Sequence, residues 1–314
     1  MAYTTGDLVL DAHYNGFKDS VNTVWGAGTF ASGTGYGQGT TLSAVAVGDT
    51  VSATQWSTLL ARISSAASHQ NTSITAITAP VAGDTISAYT ALSSNITAIT
   101  NSRFNAAGVG SDITTGGVAQ RTSSWITSIT MDYTITFASA DAARYFFNAG
   151  GTIRMNFSRS GGTAHSKNTA WTNLCSACGT LVMSNGHTNS TIAGTSYNSG
   201  WTKVGGSGSP GNLATAYGFQ DLTATWQQTF HQYDAAAPYT ANVLVVDAKS
   251  TAANSNIVYL KVTFQDNAAD NSIPSSVDVV DGTLQTTLVL RPPSTTYISN
   301  SWGTPTISCS VTGS

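Results

Sequence analysis

Three stretches of this chain carry one apolar spacing, and that spacing restricts the fold more than any other feature. In "DAHYNGFKDSVNTVW" Tyr14, Phe17, Val21 and Val24 fall at i, i+3, i+7 and i+10. In "ATQWSTLLARISSA" the same steps select Trp56, Leu59, Ile63 and Ala66, and in "YTALSSNITAI" they select Tyr89, Leu92, Ile96 and Ile99. A 3-4-3 rhythm is a single apolar stripe along a helix, close to a coiled-coil seam. Each stretch follows a Gly-Asp pair, at Gly6, Gly48 and Gly83, and each has a residue suited to an N-cap: Asp11, Ser52 and Ser87. A helix of this kind cannot bury its stripe alone. Either the three stripes close on one another within the chain, or the seam closes against copies in other subunits. The expectation carried forward is a helical docking and oligomerisation module over residues 1–104, made of three turn-helix repeats. Its assembly seam would be Tyr14, Phe17, Val21, Val24, Trp56, Leu59, Ile63, Tyr89, Leu92, Ile96 and Ile99.

Between the first two helices lies "GAGTFASGTGYGQGTT", residues 26–41. A phosphate-binding glycine loop needs a strand before it, a helix after it and usually a Lys. None is present, so this stretch reads as a flexible or tightly turned connection. Residues 105–120 read as a linker.

From Trp125 the period changes to two. "WITSITMDYTITFAS" alternates as a strand does, and "IVYLKVTF" puts Val258, Leu260, Val262 and Phe264 on one face with Tyr259, Lys261 and Thr263 opposite. Further strands are expected at 195–201, 216–233, 241–247, 276–280, 283–290 and 305–311. Two short helices break the pattern: one between Ser139 and Gly150, and one in "NTAWTNLCSACGTLVM". The fold class expected is therefore α+β: the helical module, then a mainly antiparallel β-sandwich or jelly-roll-like body over residues 121–314.

The surface chemistry follows from an unusual composition. Only 9% of the 314 residues are charged, against 41% hydrophobic, and every carboxylate is Asp. Small hydroxyl and amide side chains do the solubilising. A net charge of −3 without a Lys/Arg cluster offers nothing to nucleic acid. No apolar run approaches the roughly 20 residues of a membrane helix. The opening "MAYTTGDLVL" lacks the features of a secretion signal, so assembly in a cytoplasm is expected.

Catalytic patterns are missing from the sequence. There is no G-x-S-x-G elbow, the five histidines are scattered, and no carboxylate pair stands out among the Asp residues. Cys175 and Cys178 form a C-x-x-C inside an apolar helical run and read as small core side chains, with no second ligand pair for zinc. Asp266 and Asp270, followed by Asp278 and Asp281, could hold calcium but read first as turn formers. No cofactor is expected and no metal is assigned. Trp201, Tyr217, Trp226, Tyr233 and Tyr239 crowd the Gly/Asn-rich part of the body; Trp201 and Trp226 are candidate glycan contacts, with a core or interface role as the plainer reading.

Longer blocks resemble a known group. The opening through "VAVGDTVSATQWSTLLARISSAASHQ", the central "ASADAARYFFNAGGTIRMNFSRSGGTAHSKNTAWTNL", and "VTFQDNAADNS" followed by "VDGTLQTTLVL" are similar to virion structural and tail-fibre-like proteins of marine and cyanobacterial tailed phages. The resemblance implies a non-enzymatic virion component of the tail, collar or fibre apparatus, located in the particle. Its expected partners are itself, as a homo-oligomer and most simply a trimer, and other virion proteins. A glycan-binding receptor module is the alternative.

Overall fold

The computed structural model describes residues 11–81, 89–268 and 279–313. Three helices come first: α1 (Asp11–Trp25), α2 (Ala53–Gln70) and α3 (Tyr89–Asn101). Their stripes meet inside the chain. Tyr14 lies edge-on to Trp56 with centroids 5.5 Å apart, and Phe17 packs on Tyr89 at 5.0 Å. These residues all sit near the N-terminal ends of their helices. At the other end Gln70 donates its side-chain amide to the Ile99 carbonyl at 2.9 Å. N-terminal ends therefore meet N-terminal ends, and the three helices run parallel.

Parallel packing demands that the chain travel back along the bundle after each helix, and asparagines hold these return segments. Asn15 pairs with both the N–H and the carbonyl of Val45, and Asn22 does the same at Leu42, every bond 2.9 Å. Asn95 of α3 clips Thr75 in the same way at 2.8 Å. Each amide copies one rung of a β-ladder, satisfying backbone groups that an irregular segment would otherwise leave open. α2 starts with a complete capping box, Ser52 and Gln55 bonding reciprocally, and ends at Asn71 in the left-handed region. The Gly6 and Gly83 turns and Ser87 lie outside the described residues, and Asp11 is the first described residue of α1.

The body contains two antiparallel sheets. The first has the order β1 (Val118–Arg121), β12 (Thr283–Arg291), β3 (Thr152–Ser160), β4 (Thr180–Met183), β7 (Trp201–Val204). The second has the order β13 (Thr306–Gly313), β2 (Ser128–Thr136), β11 (Ile257–Gln265), β10 (Val243–Ser250), β9 (Gln227–Tyr233), β8 (Asn212–Leu213). A small ribbon pairs β5 (Ser190–Ile192) with β6 (Thr195–Tyr197). Inner faces meet where Phe157 of β3 approaches Phe264 of β11 at 6.4 Å, and where the Tyr133 hydroxyl donates to the Thr286 carbonyl at 2.8 Å. β2, β11 and β12 each alternate buried and half-buried residues along their full nine-residue length, as the period-two pattern predicts. Helices plus antiparallel sheets agree with an α+β class. These strand orders do not establish a jelly roll, a fold of eight strands in two Greek keys.

Two helices pack on the sheets. α4 (Ala140–Asn148) is capped by Ser139, as expected. α5 (Ser166–Cys178) is shorter than the predicted run, because Gly179 at φ +62° ends it and Thr180–Met183 leaves as β4. β-branched Thr180 and Val182 suit that strand. Of the expected strand at 276–280, residues 276–278 lie outside the described residues, and Val280 forms an isolated bridge with Trp125.

Candidate functional site

The glycine-rich stretch 26–41 is the joint between helices and body rather than a slack connection. Tyr36 is 1% exposed and Gln38 is buried; the Tyr36 hydroxyl donates to the Arg103 carbonyl at 2.7 Å and receives the Gln70 amide at 2.7 Å. Arg144 of α4 enters from the body. Its Nη1 donates to the Ala27 carbonyl at 2.6 Å and to the Thr34 carbonyl, and its guanidinium lies 4.9 Å from the Phe30 ring. Glycine is required where the loop doubles back: a Cβ at Gly28, φ +58°, would run into the Thr34 carbonyl. The sequence reading missed this role, although four glycines within ten residues flanking one tyrosine hinted at a tightly folded loop. His69 closes the same region, donating from Nε2 to the Ala149 carbonyl at 3.0 Å, and burial drives its pKa down to about 4.

The expected seam residues are placed by these contacts. Tyr14, Phe17, Val21, Val24, Trp56, Leu59, Ile63, Leu92, Ile96 and Ile99 are buried within the single chain, and Tyr89 is partly buried against them. Their cluster is continuous with the sheet residues, so helices and body share one core. Residues 105–120, expected as a linker, lie against the body: Ile113 bridges Leu290, and Val118–Arg121 form β1. Linker-like composition reflects turns that hug the sheet edge.

Trp201 needs correction as a glycan contact. It is 0% exposed, in β7 beneath the 214–217 turn, and presents no surface. Cys175 and Cys178 are buried, unbridged thiols; burial raises both, Cys178 to about 12, which leaves them protonated and unreactive. Asp266 meets the Lys167 ammonium at 2.5 Å with both side chains buried, so a cation there would have to displace a lysine. The Asp281 carboxylate accepts from the Thr163 hydroxyl and N–H, from Asn168 and from Arg159, which hold it down to about 2. Asp270 and Asp278 lie outside the described residues. Among the described residues no group of three metal-ligating side chains occurs.

Trp226 is different. The other six tryptophans are at most 3% exposed, whereas Trp226 is half-buried at the rim of an open groove of about 570 Å³ on the outer face of the six-stranded sheet. A β-bulge between Val246 and Asp247 interrupts the β10–β9 ladder just before the chain reaches it. Two ammoniums lie over the Trp226 ring: Lys261 at 4.2 Å and Lys249 at 4.8 Å, and Lys249 also lies 5.4 Å over Tyr259. Strand register builds the floor in rows. One row runs Asp132, Lys261, Asp247 across β2, β11 and β10; the next runs Thr134, Tyr259, Lys249. Burial pushes the Asp247 carboxyl up, opposed by Lys261.

The outer face of the five-stranded sheet has another character. Register aligns Gln120, Gln285 and Ser158 in one row, and Val118, Thr287, Asn156 and Thr180 in the next. Neither row carries a charge; the charges of this face, Arg154 and Arg291, lie in the rows beyond Thr287.

No protein-family model, no curated protein and no solved structure matches this chain. Among the described residues no helix is long and apolar enough to cross a membrane.

Proposed function

We propose that this chain is a non-enzymatic structural subunit of a tailed-phage virion, part of the tail, collar or fibre apparatus. It works as a homo-oligomer, most simply a trimer, docked to other virion proteins. The observation that carries the reading is a pair of uncharged rows on the outer face of the five-stranded sheet, at the end of that face away from Arg154 and Arg291. Amides and hydroxyls both donate and accept, so two copies of Gln120, Gln285, Asn156 and Thr287 can pair without like charges meeting. The phage-like blocks add support, since they include β3 and most of β12, two adjacent strands of that face. With the helical stripes closed inside the chain, contacts between copies fall to the sheet surfaces rather than to the bundle seam.

Light scattering after size exclusion tests this at micromolar concentration. The expected mass is three times the 32.4 kDa chain, and Thr287→Asp, which sets three carboxylates against one another around the axis, should shift it toward the monomer. A 32.4 kDa species at every concentration overturns the reading.

A further inference from the structure

The groove beside Trp226 points to a ligand. Lys249 and Lys261 are two of five lysines in the chain. The other three are occupied: Lys18 pairs with Asp19, Lys167 with Asp266, and Lys203 donates to the Ser207 and Gly208 carbonyls. Among the described residues neither Lys249 nor Lys261 makes a hydrogen bond or a close ion pair; both lie over the Trp226 face, Lys249 also over Tyr259, and Lys261 feels the Asp247 carboxylate across the strands. Cation–π contact fixes an ammonium while leaving its N–H groups free to donate.

The groove lining therefore offers a donor (the Lys249 ammonium), an acceptor (Asp132), the two-way Thr134 hydroxyl, and the aromatic carbon of Trp226 and Tyr259. The one positive and one negative charge of its lining, Lys249 and Asp132, offset, so it gives a polyanion no net attraction and lacks the basic stripe a nucleic acid needs. Its volume lies within the roughly 300–1,000 Å³ of small-molecule sites. A ligand matching this array is uncharged, rich in hydroxyls that donate and accept at short spacing, and flat and C–H-lined on one face. We propose that the groove binds an uncharged pyranose chain, its C–H face against Trp226 and its hydroxyls between Lys249 and Asp132. The proposal extends the structural role without depending on it: a monomer could bind, and an oligomer could fail to.

Trp226 being the one tryptophan with exposed surface provides the test, because iodide quenching of the native protein's fluorescence reads it selectively. Neutral glucan, galactan and mannan hexasaccharides are titrated alongside oligogalacturonate as the acidic comparison, with calorimetry in parallel. At least one neutral probe should shield Trp226 from iodide. Its affinity should fall at least about tenfold in Trp226→Ala, and also in Asp132→Asn, which keeps the fluorophore, with melting temperatures unchanged. No shielding by any neutral probe at about 10 mM overturns the proposal. So does unaltered affinity in both variants, or tighter binding of oligogalacturonate than of every neutral probe.

Discussion

Arg144→Met is the sharpest probe of the joint between helices and body. The side chain is 2% exposed, and Met keeps most of its packing while removing the guanidinium. Two charge-assisted hydrogen bonds, to the part-buried Ala27 carbonyl and the buried Thr34 carbonyl, are lost. Bonds of that kind contribute about 1.5–3 kcal/mol each. The ion pair to Asp141 adds almost nothing, because that carboxylate is 58% exposed. Against the loss stands the relief of a buried Nε that has no partner among the described residues. The net destabilisation is roughly 2–4 kcal/mol. With an unfolding entropy of about 2.1 cal/mol/K per residue over this length, the midpoint should fall by roughly 3–6 °C. Differential scanning calorimetry reads the shift, and hydrogen exchange reads its place. The amides of Tyr36, Gly37 and Gln38, bonded to carbonyls at the end of α1 and at Gly26, should exchange faster while those of β11 and β12 do not. A midpoint within about 1 °C of the parent refutes the idea that Arg144 holds the two parts together.

Two further outcomes follow from burial. His69 is neutral and donates from Nε2, with a folded pKa of about 4 below the ordinary 6.5. The unfolded chain takes up that proton first, so the stability His69 contributes is complete above pH 6.5 and is lost as pH falls from 6.5 to about 4. The loss reaches about 3 kcal/mol, and His69→Gln should flatten the melting-temperature profile in that window. Trp201→Ala removes a fully buried indole and should cost about 3–5 kcal/mol in urea denaturation while leaving iodide access to Trp226 unchanged.

Where a long element turns one face to the core, its residues are readable in order along the chain; four-residue β1, inside the expected linker, is too short for that. The stripes of α1, α2 and α3, the Ser139 cap of α4 and the alternation of β11 are local patterns with local causes. Gly179 shows where that kind of reading fails. An apolar run from Leu174 to Met183 is helix before the glycine and strand after it, and periodicity cannot separate two buried elements that abut. The joint at 26–41 was hidden because its partners, Arg144 and Ser299, lie far along the chain and nothing in glycine content names them. The groove was hidden for a related reason. Tyr259 and Lys261 could be assigned to the polar face of their strand. That Asp132 stands beside them and Trp226 reaches over them is a matter of cross-strand register and a bulge.

The direction of the three helices has an electrostatic consequence. In an antiparallel bundle the macrodipoles cancel; here they add, and each leaves about half a positive charge at its N-terminus. One end of the bundle therefore gathers positive potential from three sources at once. Asp11 opens α1, its carboxylate accepting the Ala12 and Gly48 N–H groups, and Asp49 sits in the turn just ahead of the Ser52 cap. An aspartate in a Gly-Asp turn is thus a counter-ion for a bundle whose polarity its own topology creates.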